Sequence, residues 1–98
     1  MRSLLIAAVL AAGPALADSE ARQGADWVRI FDSPCVSAQT LVLIPPEARS
    51  DFQKAQGVYK GEKFFGCWQK RGGIVYILWE DGDHAIIPIE ALRRVTEA

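Results

Sequence analysis

From Val58 onward the chain alternates in steps of two. Lys63 to Lys70 sets Phe65, Cys67 and Gln69 on one side and Phe64, Gly66 and Trp68 on the other, which predicts a strand. Lys70-Arg71-Gly72-Gly73 predicts a tight turn, because paired glycines accept the positive φ values a short hairpin requires. Ile74 to Glu80 predicts a central strand that is apolar on both faces, Ile74, Tyr76 and Leu78 against Val75, Ile77 and Trp79. Asp81-Gly82 predicts a second hairpin turn into Ala85-Ile86-Ile87, and Pro88 suits the end of an edge strand. Ile89 to Val95 predicts one or two helical turns with Ile89 and Leu92 inward. A meander whose central strand is apolar on both sides needs cover on both. Helices can meet one face; sheet curl, the first strand or a partner must meet the other.

Upstream the pattern is less regular. Residues 18–25 are small and polar and predict a flexible lead-in. Trp27 to Phe31 is rich in strand formers, and Asp32-Ser33-Pro34 interrupts it. Ser33 as N-cap with Pro34 at the first helical position favours a helix from Pro34 to about Leu43. The run Thr40-Leu41-Val42-Leu43-Ile44 argues for a strand instead, so residues 36–44 stay open between the two. Pro46 to Gln56 predicts a second helix. Glu47 suits its N-terminal end, and Ala48, Phe52 and Ala55 fall on one stripe, with Gly57 just after the last turn.

The first residues change the biological setting. Met1-Arg2, an apolar run from Leu4 to Ala12, the break at Gly13-Pro14 and the small pair in Ala15-Leu16-Ala17 have the form of a signal peptide cleaved after Ala17. The apolar run is well short of the roughly 20 residues that span a bilayer, so no membrane span is expected in the mature form. The expected organisation is a signal peptide over 1–17, the lead-in over 18–25 and one globular domain over 26–98, placed in the periplasm or secreted. Removing 17 residues from 98 leaves 81, a length at which a core is marginal and a staple useful. Two cysteines, Cys35 and Cys67, in an oxidising compartment allow one intramolecular pairing, and a disulfide is expected.

Charge and candidate chemistry narrow the function classes. The chain carries 11 Lys+Arg and 12 Asp+Glu, scattered, with no basic stripe of the kind nucleic acid requires. Glu80-Asp81-Gly82-Asp83-His84 gathers acids around the only histidine, which would suit a metal-dependent or hydrolytic site, but Asp-Gly at a hairpin tip serves backbone geometry first. None of the five serines stands in a G-x-S-x-G setting, and no phosphate-cradling glycine loop is present. No catalytic residue, cofactor or metal site is therefore assigned. Trp27, Trp68 and Trp79, with Tyr59 and Tyr76, are large buried payload in so short a chain. Trp68, Trp79 and Tyr76 form the candidate binding face if one is exposed.

The pattern Gly66-Cys67-Trp68, a strand, Trp79-Glu80-Asp81-Gly82-Asp83 and Ile87-Pro88 resembles short exported proteins of bacteria and their phages with no assigned activity. The resemblance covers residues 61–92 and implies export; it assigns no residue a role. The strand ending in Ile87-Pro88 before a short helical turn is similar to the end of SH3-like barrels. The expected fold is α+β, a small three- to four-stranded antiparallel sheet with one or two helices on one face and one disulfide, with an SH3-like small barrel as alternative. The expected function is a non-enzymatic interaction or accessory protein of the bacterial envelope, its partner an envelope protein or cell-wall component. A small-ligand or glycan-binding module is the first alternative, and a metal-dependent or hydrolytic enzyme around Asp81–His84 the second.

Overall fold

The computed structural model describes residues 18–95; the expected signal peptide over 1–17 lies outside them. The chain is mostly strand. In chain order the strands are β1 (Ser19–Gln23), β2 (Asp26–Pro34), β3 (Gln53–Tyr59), β4 (Glu62–Arg71), β5 (Ile74–Trp79), β6 (His84–Pro88) and β7 (Arg93–Arg94). They form one antiparallel sheet in the order β6-β5-β4-β3-β2-β1-β7, curled into a half-barrel. The expected three- to four-stranded sheet with one or two helices is therefore corrected to a seven-stranded sheet with only short helical turns. The SH3-like small-barrel alternative is corrected with it, because seven strands form an open half-barrel; the short helical turn expected after Pro88 is a 3-10 turn over Ile89–Ala91.

The later meander runs where the alternation puts it, with Gly72-Gly73 turning between the paired residues Arg71 and Ile74. Upstream the structure departs from expectation. The expected lead-in over 18–25 instead supplies β1, paired with β2 from Ser19↔Ile30 to Gln23↔Asp26. The second helix ends early: Pro46–Asp51 is a 3-10 helix, and Phe52 is already extended, at φ −105° and ψ 145°. Gln53–Tyr59 is β3, joined to β4 by Lys60-Gly61. Both turn residues have positive φ, 53° and 80°, as a tight hairpin demands, and Asp26 Oδ1 accepts a hydrogen bond from Lys60 N at 3.0 Å. Residues 36–44 hold a single helical turn, α1 (Ala38–Leu41). Its cap is Ser37 rather than Ser33, which lies in β2. Ser37 Oγ also donates to Glu80 Oε2 at 2.9 Å, tying the turn to the end of β5.

Two clusters bury the two faces of β5. Inside the curl, Ile30, Ala55, Trp68, Val75 and Ile77 pack together, with Val28, Trp79, Ala85, Ile87, Ile89 and Leu92 around them. Outside, Cys35, Ile44, Phe52 and Cys67 pack with Leu41, Ala48, Tyr76 and Leu78. The segment between β2 and β3 thus covers the outer face, and the Cys35–Cys67 disulfide fastens it to β4. The apolar central strand is covered on one side by that segment and on the other by curl, so its two faces alone do not call for a partner.

The half-barrel is drawn together at one end only. Four residues, Ile89 to Leu92, carry the chain from β6 to β7, which pairs with β1 at Ser19↔Arg94 and Glu20↔Arg93. So short a link spans at most roughly 17 Å even when extended, which brings the two sides of the sheet close there. Ile89 N also donates to Gly73 O, and Val95 N to Asp18 O. At the other end, past Ala21 on β1 and Ala85 on β6, no such link exists among the described residues.

Candidate binding site

The open end of the half-barrel is a cavity of about 860 Å³. Its walls come from the inward positions Ala21, Val28, Phe64, Trp79, Ala85 and Ile87. Trp79 fits because the sheet beneath it is bare. A Cβ on Gly57 would lie 3.0 Å from Trp79 Cη2, and one on Gly66 2.9 Å from Trp79 Cε3. Two glycines on adjacent strands therefore let the indole lie against the backbone. Phe64 meets it edge-on, with ring centroids 6.4 Å apart and planes at 60°. The rim is polar, with Asp81 and Asp83 on the turn after β5, Asp26 at the start of β2 and Arg22 on β1. An apolar lining with few polar groups at its mouth is the ordinary form of a small-molecule site.

The sequence-level candidates divide between three places. Trp79 faces the cavity. Trp68 lies on the same inner face but is core, 4% exposed, and its Nε1 donates to Phe31 O at 2.9 Å. Tyr76 is on the outer face, with the Arg71 guanidinium 4.1 Å from its ring centroid and the His84 ring at 5.7 Å. The three do not converge on one surface. In the turn, Asp81 Oδ1 accepts from Asp83 N and Asp83 Oδ1 from His84 N, so both carboxylates shape backbone. Among the described residues no three His, Cys, Asp or Glu side chains are grouped to hold a metal.

A second cleft, of about 540 Å³, was not foreseen. It is lined by Glu20, Arg22, Arg29, Arg93 and Arg94, with Ala91 and Val95. Glu20 and Arg22 lie on β1, Arg29 beside them on β2, and Arg93 opposite Glu20 on β7. No local motif could reveal it, because three separate stretches supply its charges. Arg29 Nη2 donates to Glu20 Oε1 at 2.8 Å, and Arg22 Nη2 is 2.5 Å from Glu20 Oε2. The hydrogen bond from Arg29 does most to hold the Glu20 carboxyl below its ordinary range, with Arg22 adding and partial burial opposing. The Arg29 guanidinium also sits 5.4 Å from the centre of the Trp27 ring, and its Nε is buried without an acceptor.

This pairing has a pH signature. A carboxyl with a depressed folded pKa contributes stability that is full above its unfolded value, about 4.3, and fades as pH falls through the folded value. Glu20→Gln should therefore be less stable than the parent at pH 7, and the gap should narrow steadily below about pH 4. Thermal unfolding of both proteins across pH 3–7 measures it; a gap independent of pH would show that the charge of Glu20 is not what matters.

No helix among the described residues is long and apolar enough to cross a membrane. Compared with protein-family models, curated proteins and solved structures, the chain has no match, so the site is read from its own geometry.

Proposed function

We propose that this chain is an exported, non-enzymatic binding protein of the bacterial envelope that holds an apolar ligand in the open end of its half-barrel. The observation that carries the reading is the cavity floored by Trp79, whose volume of about 860 Å³ suits a small molecule and whose lining is mostly apolar. Export is supported by the leader pattern over 1–17 and by the Cys35–Cys67 disulfide, a bond that persists in oxidising compartments. The small-ligand reading thereby moves ahead of a general accessory role.

The test is a fluorescence titration of the mature protein with the neutral apolar probe N-phenyl-1-naphthylamine. A saturable rise in probe emission, with transfer from tryptophan, is expected. Ala85→Phe, which fills the cavity from β6, should weaken binding about tenfold or more, since one well-placed side chain can forfeit over 1.4 kcal/mol of contact. A flat titration across apolar probes and sugars would remove the ligand reading.

A protein partner is the second reading, and one observation favours it. Val36, Val42 and Leu43, flanking or following α1, are 73%, 70% and 48% exposed. A single crosslinked partner captured by the parent and lost in a Val36→Ser/Val42→Ser variant would support this reading.

A further inference from the structure

We infer that the ligand is an anionic amphiphile, its apolar chain in the open end of the half-barrel and its phosphate or carboxylate head in the arginine cleft outside β1. The inference rests on the cavity reading above and adds the chemistry of the head group. Its first support is continuity. Arg22 and Ala91 line both the apolar cavity and the arginine cleft, so the two meet across the edge of β1. That edge is open where the crossing would occur, because β7 pairs with β1 at Ser19 and Glu20 alone and leaves Ala21 to Gln23 beyond it.

Charge gives the direction. Among the described residues the cleft gathers Arg22, Arg29 and Arg93 around one acid, Glu20, in a chain whose formal net charge is −1. Both Glu20 oxygens are engaged, one by Arg22 and one by Arg29, and Arg93 donates to the neutral carbonyls of Glu90 and Leu92, so among these described groups three guanidiniums stand against one carboxylate. Guanidinium groups match the planar, forked acceptor geometry of carboxylate and phosphate. Asp26, opposite Gln23 at the β1–β2 hairpin, accepts from Lys60 N, and across the mouth, on the turn after β5, stand Asp81 and Asp83. An anionic head is repelled there and drawn to the β1 side, so the ligand has one orientation. The buried Arg29 Nε, without an acceptor, marks the guanidinium as not fully satisfied by Glu20 and Trp27.

The experiment is displacement of N-phenyl-1-naphthylamine from the mature protein by dodecyl phosphate, dodecanol and dodecyltrimethylammonium, each below its aggregation concentration. Inorganic phosphate and phosphatidylglycerol vesicles serve as separate arms. Dodecyl phosphate is expected to displace the probe at about tenfold lower concentration than dodecanol, as charge-assisted hydrogen bonds to the head imply. The ammonium compound should be the weakest. In Arg93→Gln, shown folded by near-ultraviolet circular dichroism, the preference for phosphate over alcohol should fall several-fold. That preference is a ratio within each protein, so a general loss of affinity does not imitate it.

Equal displacement by dodecyl phosphate and dodecanol overturns the inference and leaves the cavity reading standing, whereas a probe that never binds removes both. Inorganic phosphate that protects the protein as well as dodecyl phosphate does would reduce the cleft to a simple oxyanion site and overturn the amphiphile. Co-sedimentation with vesicles, without displacement by the free amphiphile, would point to a membrane surface and overturn it likewise.

Discussion

Replacing Cys35 and Cys67 together by alanine is expected to destabilise the protein by roughly 3–4 kcal/mol. The two residues are 32 apart in sequence, and the chain-entropy model gives about that figure for such a loop. In a domain of this size the loss corresponds to a fall in Tm of roughly 10–30 °C. The effect should also be local. Cys35 stands at the entrance of the covering segment and Cys67 is fully buried on β4. The bridge therefore fastens the residues that carry α1 and the 3-10 helix over Tyr76 and Leu78. Hydrogen exchange in the double variant should accelerate first over residues 36–52, while β4 and β5 keep their protection. Denaturant unfolding of the parent and the variant measures the global term. A loss below about 1 kcal/mol would show that Ile44, Phe52 and Leu41 hold the segment by packing alone.

The strands that were legible in the sequence and those that were not differ in what they turn inward. β5 and β6 point Val75, Ile77, Ala85 and Ile87 into the core, and their alternation is plain. β3 points Ala55 and Gly57 inward and β1 points Ser19 and Ala21, small residues that carry no hydrophobic signal. They are small because neighbouring strands supply the volume, Trp79 lying over Gly57 and Gly66. A strand whose core face is filled by another strand's tryptophan reads as polar coil or, when Ala48, Phe52 and Ala55 fall four and three residues apart, as helix. The helix signal at Pro46-Glu47 was genuine but is used up in the 3-10 helix over Pro46–Asp51. The disulfide could be read because two cysteines admit one pairing.

The candidate site was legible in part for the same reason. Trp79 stood out by its size, and the alternation along β5 already set it opposite to Tyr76, although the candidate face grouped the two; that Trp68 shares its side follows from the register of β4 and β5. The enclosure it floors depends on seven strands curling, which a three-stranded meander does not imply. The arginine cleft depends on β7 returning to β1, a pairing of two residues on each strand that leaves no trace in local pattern.

Gly66→Ala is expected to cost about 3 kcal/mol or more, at or above the upper end of what one added methyl usually does in a packed interior. A Cβ at this position would fall within the contact radius of Leu78 O and lie 2.9 Å from Trp79 Cε3. The indole can shift, but the carbonyl belongs to the strand paired with β4, so relief requires β4 and β5 to part where Gly66 faces Trp79. Gly57→Ala provides the contrast. Its Cβ would meet Trp79 Cη2 at 3.0 Å and Trp27 O at 3.3 Å, distances that small movements of the indole and backbone accommodate, and a loss of about 1–2 kcal/mol is expected. A double-mutant cycle with Trp79→Leu separates the causes. Removing the indole should recover most of the Gly57→Ala loss and only a minor part of the Gly66→Ala loss, because the backbone obstacle at Leu78 remains. Denaturant midpoints of the six proteins supply every leg. Full recovery at Gly66 would mean that the indole alone, and not the spacing of β4 and β5, requires glycine there, and the two glycines would then serve one purpose: to keep Trp79 flat beneath the cavity.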